Sequence, residues 1–110
     1  MIMYDDRGYM SVHLMSPNRP PFTASDRLRG TPAEIKAAFE GYSAYYGTYE
    51  IDETAGTVTH HVAGSLFPNR KGTDQVRSFK LSGNRLTLST PPMLIGGEEV
   101  TATLIWQRTD

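Results

Sequence analysis

The chain has 110 residues and a mass of 12.2 kDa, with 11 Lys and Arg against 12 Asp and Glu for a formal charge of −1. That length fits one domain, 1–110, and excludes two, while 38% hydrophobic and 21% charged residues exclude a disordered or fibrous chain. A charge so near zero gives no electrostatic footprint for nucleic acid or an anionic membrane, and the lack of Cys excludes disulfides, thiolate zinc sites and a Cys nucleophile.

The start, Met1-Ile2-Met3-Tyr4-Asp5-Asp6, turns acidic too early for a signal peptide, and no later run reaches the ~20 apolar residues of a membrane span. The expectation is a soluble, cytoplasmic protein. Period-two alternation broken by Gly, Asn and Asp predicts an antiparallel meander of about seven strands. Met1 to Tyr4 and Tyr9 to Met15 form a hairpin across Asp5-Asp6-Arg7-Gly8. After a Pro-, Asn- and Arg-rich loop, Thr31-Pro32-Ala33-Glu34 supplies a helix cap, Pro at the first helical position and a capping-box Glu. Ile35, Ala38 and Phe39 follow at helical spacing, predicting one short helix from Pro32 to Tyr42. Strands follow at Ala44 to Ile51, Thr57 to Ala63, Thr73 to Leu81, Arg85 to Thr90 and Glu99 to Arg108.

Successive connections of a meander alternate between its two ends, and here their lengths are lopsided. Asp5 to Gly8, Asp52 to Gly56 and Ser82 to Asn84 are tight turns at one end. Ser16 to Ser43, Gly64 to Gly72 and Pro91 to Glu98 are long loops at the other. If the sheet closes, the long-loop end is the mouth, and Phe22, Leu66, Phe67, Met93, Leu94 and Ile95 either plug it or line a small-molecule site.

The runs Gly8-Tyr9-Met10-Ser11-Val12, Tyr46-Gly47-Thr48-Tyr49-Glu50-Ile51-Asp52, Val58-Thr59-His60-His61-Val62, Ser65-Leu66-Phe67-Pro68-Asn69, Gln75-Val76-Arg77, Leu86-Thr87-Leu88 and Trp106-Gln107-Arg108 together resemble the bacterial and fungal lipocalin-like domain family. The resemblance spans nearly the whole chain. It implies an all-β, up-and-down, calycin-type barrel of about seven to eight strands whose interior holds a small, mostly apolar molecule. It also implies a further first strand before Ile2 to Tyr4, which this sequence does not carry. Two sheet edges then need covering, and a homodimer with the first or last strand near the interface is expected. The alternative is a monomer whose first and last strands pair directly.

Strand parity selects the interior residues. His60 shares the face of Val58 and Val62, and Gln75 and Arg77 share that of Phe79 and Leu81. An interior Arg requires a partner, unless it snorkels to the rim. His60 suits proton transfer near neutrality, or is a satisfied core residue. Tyr45 and Tyr49 form an aromatic wall turned to a ligand, or ordinary strand aromatics. Trp106 with Arg108 reads as a barrel-closing pair. His60 and His61 point to opposite faces and cannot share a metal, so no metal and no cofactor is expected. No Ser-His-Asp order, Walker loop or dinucleotide Gly pattern can be assembled.

Three functions compete. The first is a binding barrel for a small hydrophobic or weakly acidic molecule. The second is an isomerase or cyclase using His60, Arg77 and Tyr45 in the same cavity, and the third an assembly subunit with a solid core. The expected site comprises His60, Gln75, Arg77, Tyr45, Tyr49 and Trp106, with Phe22, Phe67 and Leu94 at its rim.

Overall fold

The computed structural model describes residues 1–108, so the last two positions of the expected 1–110 domain lie outside the described residues. Among the described residues nine strands and one α-helix run in the order β1 (Ile2–Tyr4), β2 (Tyr9–Met15), α1 (Pro32–Glu40), β3 (Tyr42–Asp52), β4 (Thr57–Ser65), β5 (Asp74–Ser82), β6 (Arg85–Ser89), β7 (Met93–Ile95), β8 (Glu98–Val100) and β9 (Thr103–Gln107). Seven of them form one antiparallel meander, β1-β2-β3-β4-β5-β6-β9, and β7 and β8 form a separate hairpin. The sheet curls into a nearly closed barrel in which Trp106 of β9 packs on the same core as Ile2 and Tyr4 of β1. Among the described residues no ladder joins β1 to β9, so two strand edges face each other across a groove between Ile2, Met3 and Tyr4 and Leu86, Trp106 and Gln107.

The expected helix is present and capped as its residues dictate. The Thr31 hydroxyl accepts from the Glu34 amide at 3.2 Å, and the Glu34 carboxylate accepts from the Thr31 amide at 2.8 Å. The helix ends at Glu40 rather than Tyr42, because the Gly41 amide already closes the last turn onto the Ala37 carbonyl and Tyr42 pairs with Met15 instead. It buries no residue, and Ile35 and Phe39 stay half exposed.

The last expected strand, Glu99 to Arg108, is broken in two. Gly96 and Gly97 both take positive φ, at 61° and 83°, which closes Met93–Ile95 onto Glu98–Val100 as a tight hairpin. The chain then re-enters the sheet only at Thr103, and Arg108 lies beyond β9 with its amide donating to the Asn84 carbonyl.

One irregularity shapes the interior. The β3–β4 register shifts between Tyr46 and Gly47. A Cβ on Gly47 would sit 1.8 Å from the His61 carbonyl oxygen, so only Gly fits the close approach. Tyr45 and Gly47 remain on one face through the shift, and Met10, Val12, Tyr45 and Val62 pack together as the core. The connections alternate as their lengths dictate, tight turns at one end and α1, the Pro68–Arg70 3₁₀ turn and the β7–β8 hairpin at the other.

Candidate functional site

β4 presents Val58, His60 and Val62 inward, all buried. His60 is the most enclosed of the large side chains, 1% exposed, and both of its ring nitrogens are held. The Tyr4 hydroxyl lies 2.6 Å from Nε2 and the Tyr45 hydroxyl 2.6 Å from Nδ1. Burial, reinforced by the nearby Arg77 and His61, pushes the His60 pKa down to about 4, so the ring is neutral across the physiological range. A neutral imidazole has one donor and one acceptor nitrogen, so one hydroxyl donates to it and the other accepts from it.

Arg77 on β5 is 8% exposed and continues this chain of contacts. It donates to the Val76 carbonyl at 3.0 Å and to Gln75 Oε1 at 3.3 Å, and its charge acts on the nearby Tyr45 hydroxyl. A hydrogen-bond polarity that satisfies the imidazole runs from Tyr45 to His60 Nδ1 and from His60 Nε2–H to Tyr4. Burial raises the Tyr4 and Tyr45 pKa values above the usual phenol range, with the Arg77 charge opposing, and burial lowers that of Arg77. Arg70, at the end of the 3₁₀ turn, sets its guanidinium 5.4 Å from the centre of the Tyr45 ring.

These groups form the polar side of a cavity of about 240 Å³. Val12, Leu14, Leu88, Leu104 and Trp106 are among its apolar walls, and Met93 and Ile95 of the β7–β8 hairpin lean over it from the long-loop end. The Trp106 indole Nε1 is buried without a hydrogen-bond acceptor. At Ser43, Arg70 and Ile95 the cavity meets an outer groove of about 450 Å³ lined by Phe39, Tyr42, Leu66 and Phe67. A separate apolar pocket of about 170 Å³ lies at the tight-turn end, between Tyr49, Ile51, Phe79 and Leu86, with Tyr4 on its wall. The interior is therefore not a solid plug.

The expected residues divide between these places. Tyr45, His60, Arg77 and Trp106 meet in the main cavity. Gln75 stands behind it, holding Arg77 and itself donating to Thr73 at 2.8 Å. Tyr49 belongs to the tight-turn pocket, with its hydroxyl donating to the Asp5 carbonyl and its ring edge-on to Tyr4 at 4.8 Å. Phe67 lines the outer groove rather than the cavity. Phe22 sits apart, its ring under Gly30 in a surface pocket beside Pro20 and Ala38. Leu94 points to solvent at 75% exposure, because β7 alternates and turns Met93 and Ile95 inward instead. Sequence reasoning missed Tyr4 and Arg70. Tyr4's position opposite the interior row of β2, reached through the Asp5 to Gly8 turn, is the signal that could have found it.

Outside the cavity, His61 faces two carboxylates, which favour its protonated form. Its Nδ1 lies 2.7 Å from Asp74 and its Nε2 3.6 Å from Glu50, and the Asp74 hydrogen bond raises its pKa. Among the described residues no group of three metal-ligating side chains converges, and no helix is long and apolar enough to cross a membrane.

Residues 1–109 match the lipocalin-like domain family. A 4'-hydroxy-3'-methoxypropiophenone carrier protein of Aspergillus oryzae (strain ATCC 42149 / RIB 40) is 35% identical over 106 residues, spanning 90% of this chain and 96% of that relative. No solved structure matches the chain significantly.

Proposed function

The chain belongs to the lipocalin-like domain family, and from that premise we propose that it carries a small aromatic molecule bearing polar oxygens in the cavity above His60. The observation that carries this reading is the composition of the cavity wall: aliphatic side chains and Trp106 on most sides, with Tyr45, His60 and Arg77 gathered as one hydrogen-bonding patch. An aromatic ring fits the first surface and a phenol or ketone oxygen the second. The name of the Aspergillus relative, a carrier of a hydroxy-methoxy aryl ketone, supports that class of ligand. Carriage is favoured over conversion because both nitrogens of His60 are already engaged by tyrosine hydroxyls, which leaves neither free to take a substrate proton.

Thermal unfolding with a panel of phenolic aryl ketones tests the reading. A ligand at about one hundred times its dissociation constant stabilises by about 2.7 kcal/mol, which raises the midpoint by roughly ten degrees in a domain of this size. A flat response across the panel refutes the carrier. Turnover of a ketone to a new product replaces it with the isomerase or cyclase.

We further infer that two copies associate through the open barrel edges. β1 and β9 each pair on one side only, and Met3 and Ile105 lie exposed on them.

A further inference from the structure

We propose that the cavity takes its ligand as an oxyanion, selecting the ionised form of an apolar acid; this rests on the carrier reading above. Two guanidinium groups, Arg70 and Arg77, line the one cavity. Among the described residues neither is salt-bridged, since the ion pairs there use Arg29, Lys36 and His61. Arg77 is more than nine-tenths buried, and its contacts with the Val76 carbonyl and the Gln75 amide oxygen are both to neutral acceptors. Such contacts satisfy N–H groups but leave the charge uncompensated, an arrangement that is costly in an apolar interior.

No carboxylate lines the cavity itself; Glu40 shares the outer groove with Arg70 but pairs there with Lys36 at 3.9 Å. β1 contributes Tyr4, β3 Tyr45 and β4 the neutral His60, while the 3₁₀ turn and β5 contribute the two cations. β2, β6, the β7–β8 hairpin and β9 present only uncharged side chains, among them Leu14, Leu88, Met93, Leu104 and Trp106. The lining of this cavity carries two positive charges and no negative one. A ligand oxyanion completes it, accepting charge-assisted hydrogen bonds from Arg77 in a space where the low dielectric strengthens them. A carboxylic acid is already ionised in neutral water and enters with its charge, whereas the neighbouring Tyr4 and Tyr45 phenols stay un-ionised because burial outweighs the Arg77 charge.

An aryl phenolate and an aryl carboxylate share this chemistry, and matched pairs separate them. Calorimetric titration compares a 4-acylphenol with its O-methyl ether, and an arylcarboxylic acid with its carboxamide, on the full chain. The acid of at least one pair binds about tenfold or more tighter than its neutral twin, the loss expected when a charge-assisted hydrogen bond is removed. The pair that shows the preference identifies the acid. Where the phenol pair shows the preference, the bound ligand also shows the long-wavelength phenolate absorption band. Arg77→Gln weakens binding of the acid far more than that of its neutral twin and so abolishes the preference, and Arg77→Lys keeps part of it. Should the Arg77 variants not fold, Arg70→Gln reduces the same preference from the rim of the cavity. Neutral twins binding as tightly as their acids, with the bound phenol un-ionised, overturn the inference and leave the carrier standing. Binding of neither member of either pair overturns both.

Discussion

Protonation of His60 is the perturbation whose consequence follows most directly from the buried geometry. The ring is enclosed, holds tyrosine hydroxyls on both nitrogens, and faces the Arg77 charge, which brings its pKa to about 4 from an ordinary 6.5. The unfolded chain therefore binds a proton between pH 6.5 and 4 that the folded chain refuses, and stability is lost as the pH falls through that window. The difference amounts to about 3 kcal/mol at 1.36 kcal/mol per pH unit, a large part of the 5–15 kcal/mol that typically holds a domain together. Above pH 6.5 the contribution is complete and the slope vanishes. Urea unfolding of the wild type and of His60→Gln at intervals from pH 7 to pH 4 isolates it, because the two proteins share every other ionisable group. The variant is the less stable at pH 7, having lost a buried hydrogen-bonded ring, and the gap narrows by about 3 kcal/mol towards pH 4. Two curves that stay parallel over the whole range refute the reasoning.

Gly47→Ala places a methyl group against the His61 carbonyl, so the β3–β4 register shift is lost and the fold is destabilised by about 4 kcal/mol or more, read from chemical unfolding. Thr31→Ala removes the helix cap at a cost of about 1 kcal/mol; since α1 buries no residue, hydrogen exchange of its amides accelerates while the barrel midpoint barely moves. Light scattering over a concentration series gives a dimer that Ile105→Lys dissociates, whereas a 12.2 kDa particle throughout contradicts the edge-to-edge association.

Much of this architecture was legible because strands announce themselves locally. The turn residues Asp5 to Gly8, Asp52 to Gly56 and Ser82 to Asn84 set the connection lengths, and those lengths sort the loops to the two ends of the sheet without any tertiary information. Parity then put His60 and Arg77 inside, because a strand with Val58 and Val62 on one face has no choice about the residue between them. What escaped was set by contacts distant in sequence or by irregular backbone. Tyr4 reaches His60 across 56 positions from a strand of three residues, too short to show a period. Arg70 is aimed by a single 3₁₀ turn in a loop. Leu94 is assigned to the rim by loop membership, whereas the Gly96-Gly97 turn pairs Met93–Ile95 with Glu98–Val100 as a hairpin whose alternation turns Met93 and Ile95 inward. Phe22 and Phe67 were grouped with the mouth by loop membership alone, which says nothing of which pocket a loop residue enters.

Trp106 is the sole tryptophan and stands on the cavity wall, so its indole N–H gives one resolved signal that reports from the proposed site. Titration of the isotope-labelled protein with 4'-hydroxy-3'-methoxypropiophenone, followed by two-dimensional amide spectra, tests the carrier most directly. The account predicts a saturable shift of the Trp106 indole signal, together with the amides of Thr90, Met93 and Leu104, while those of the turn at Asp52 to Gly56 stay in place. Shifts confined to exposed loops, or an indole signal unmoved at saturating ligand, would contradict it.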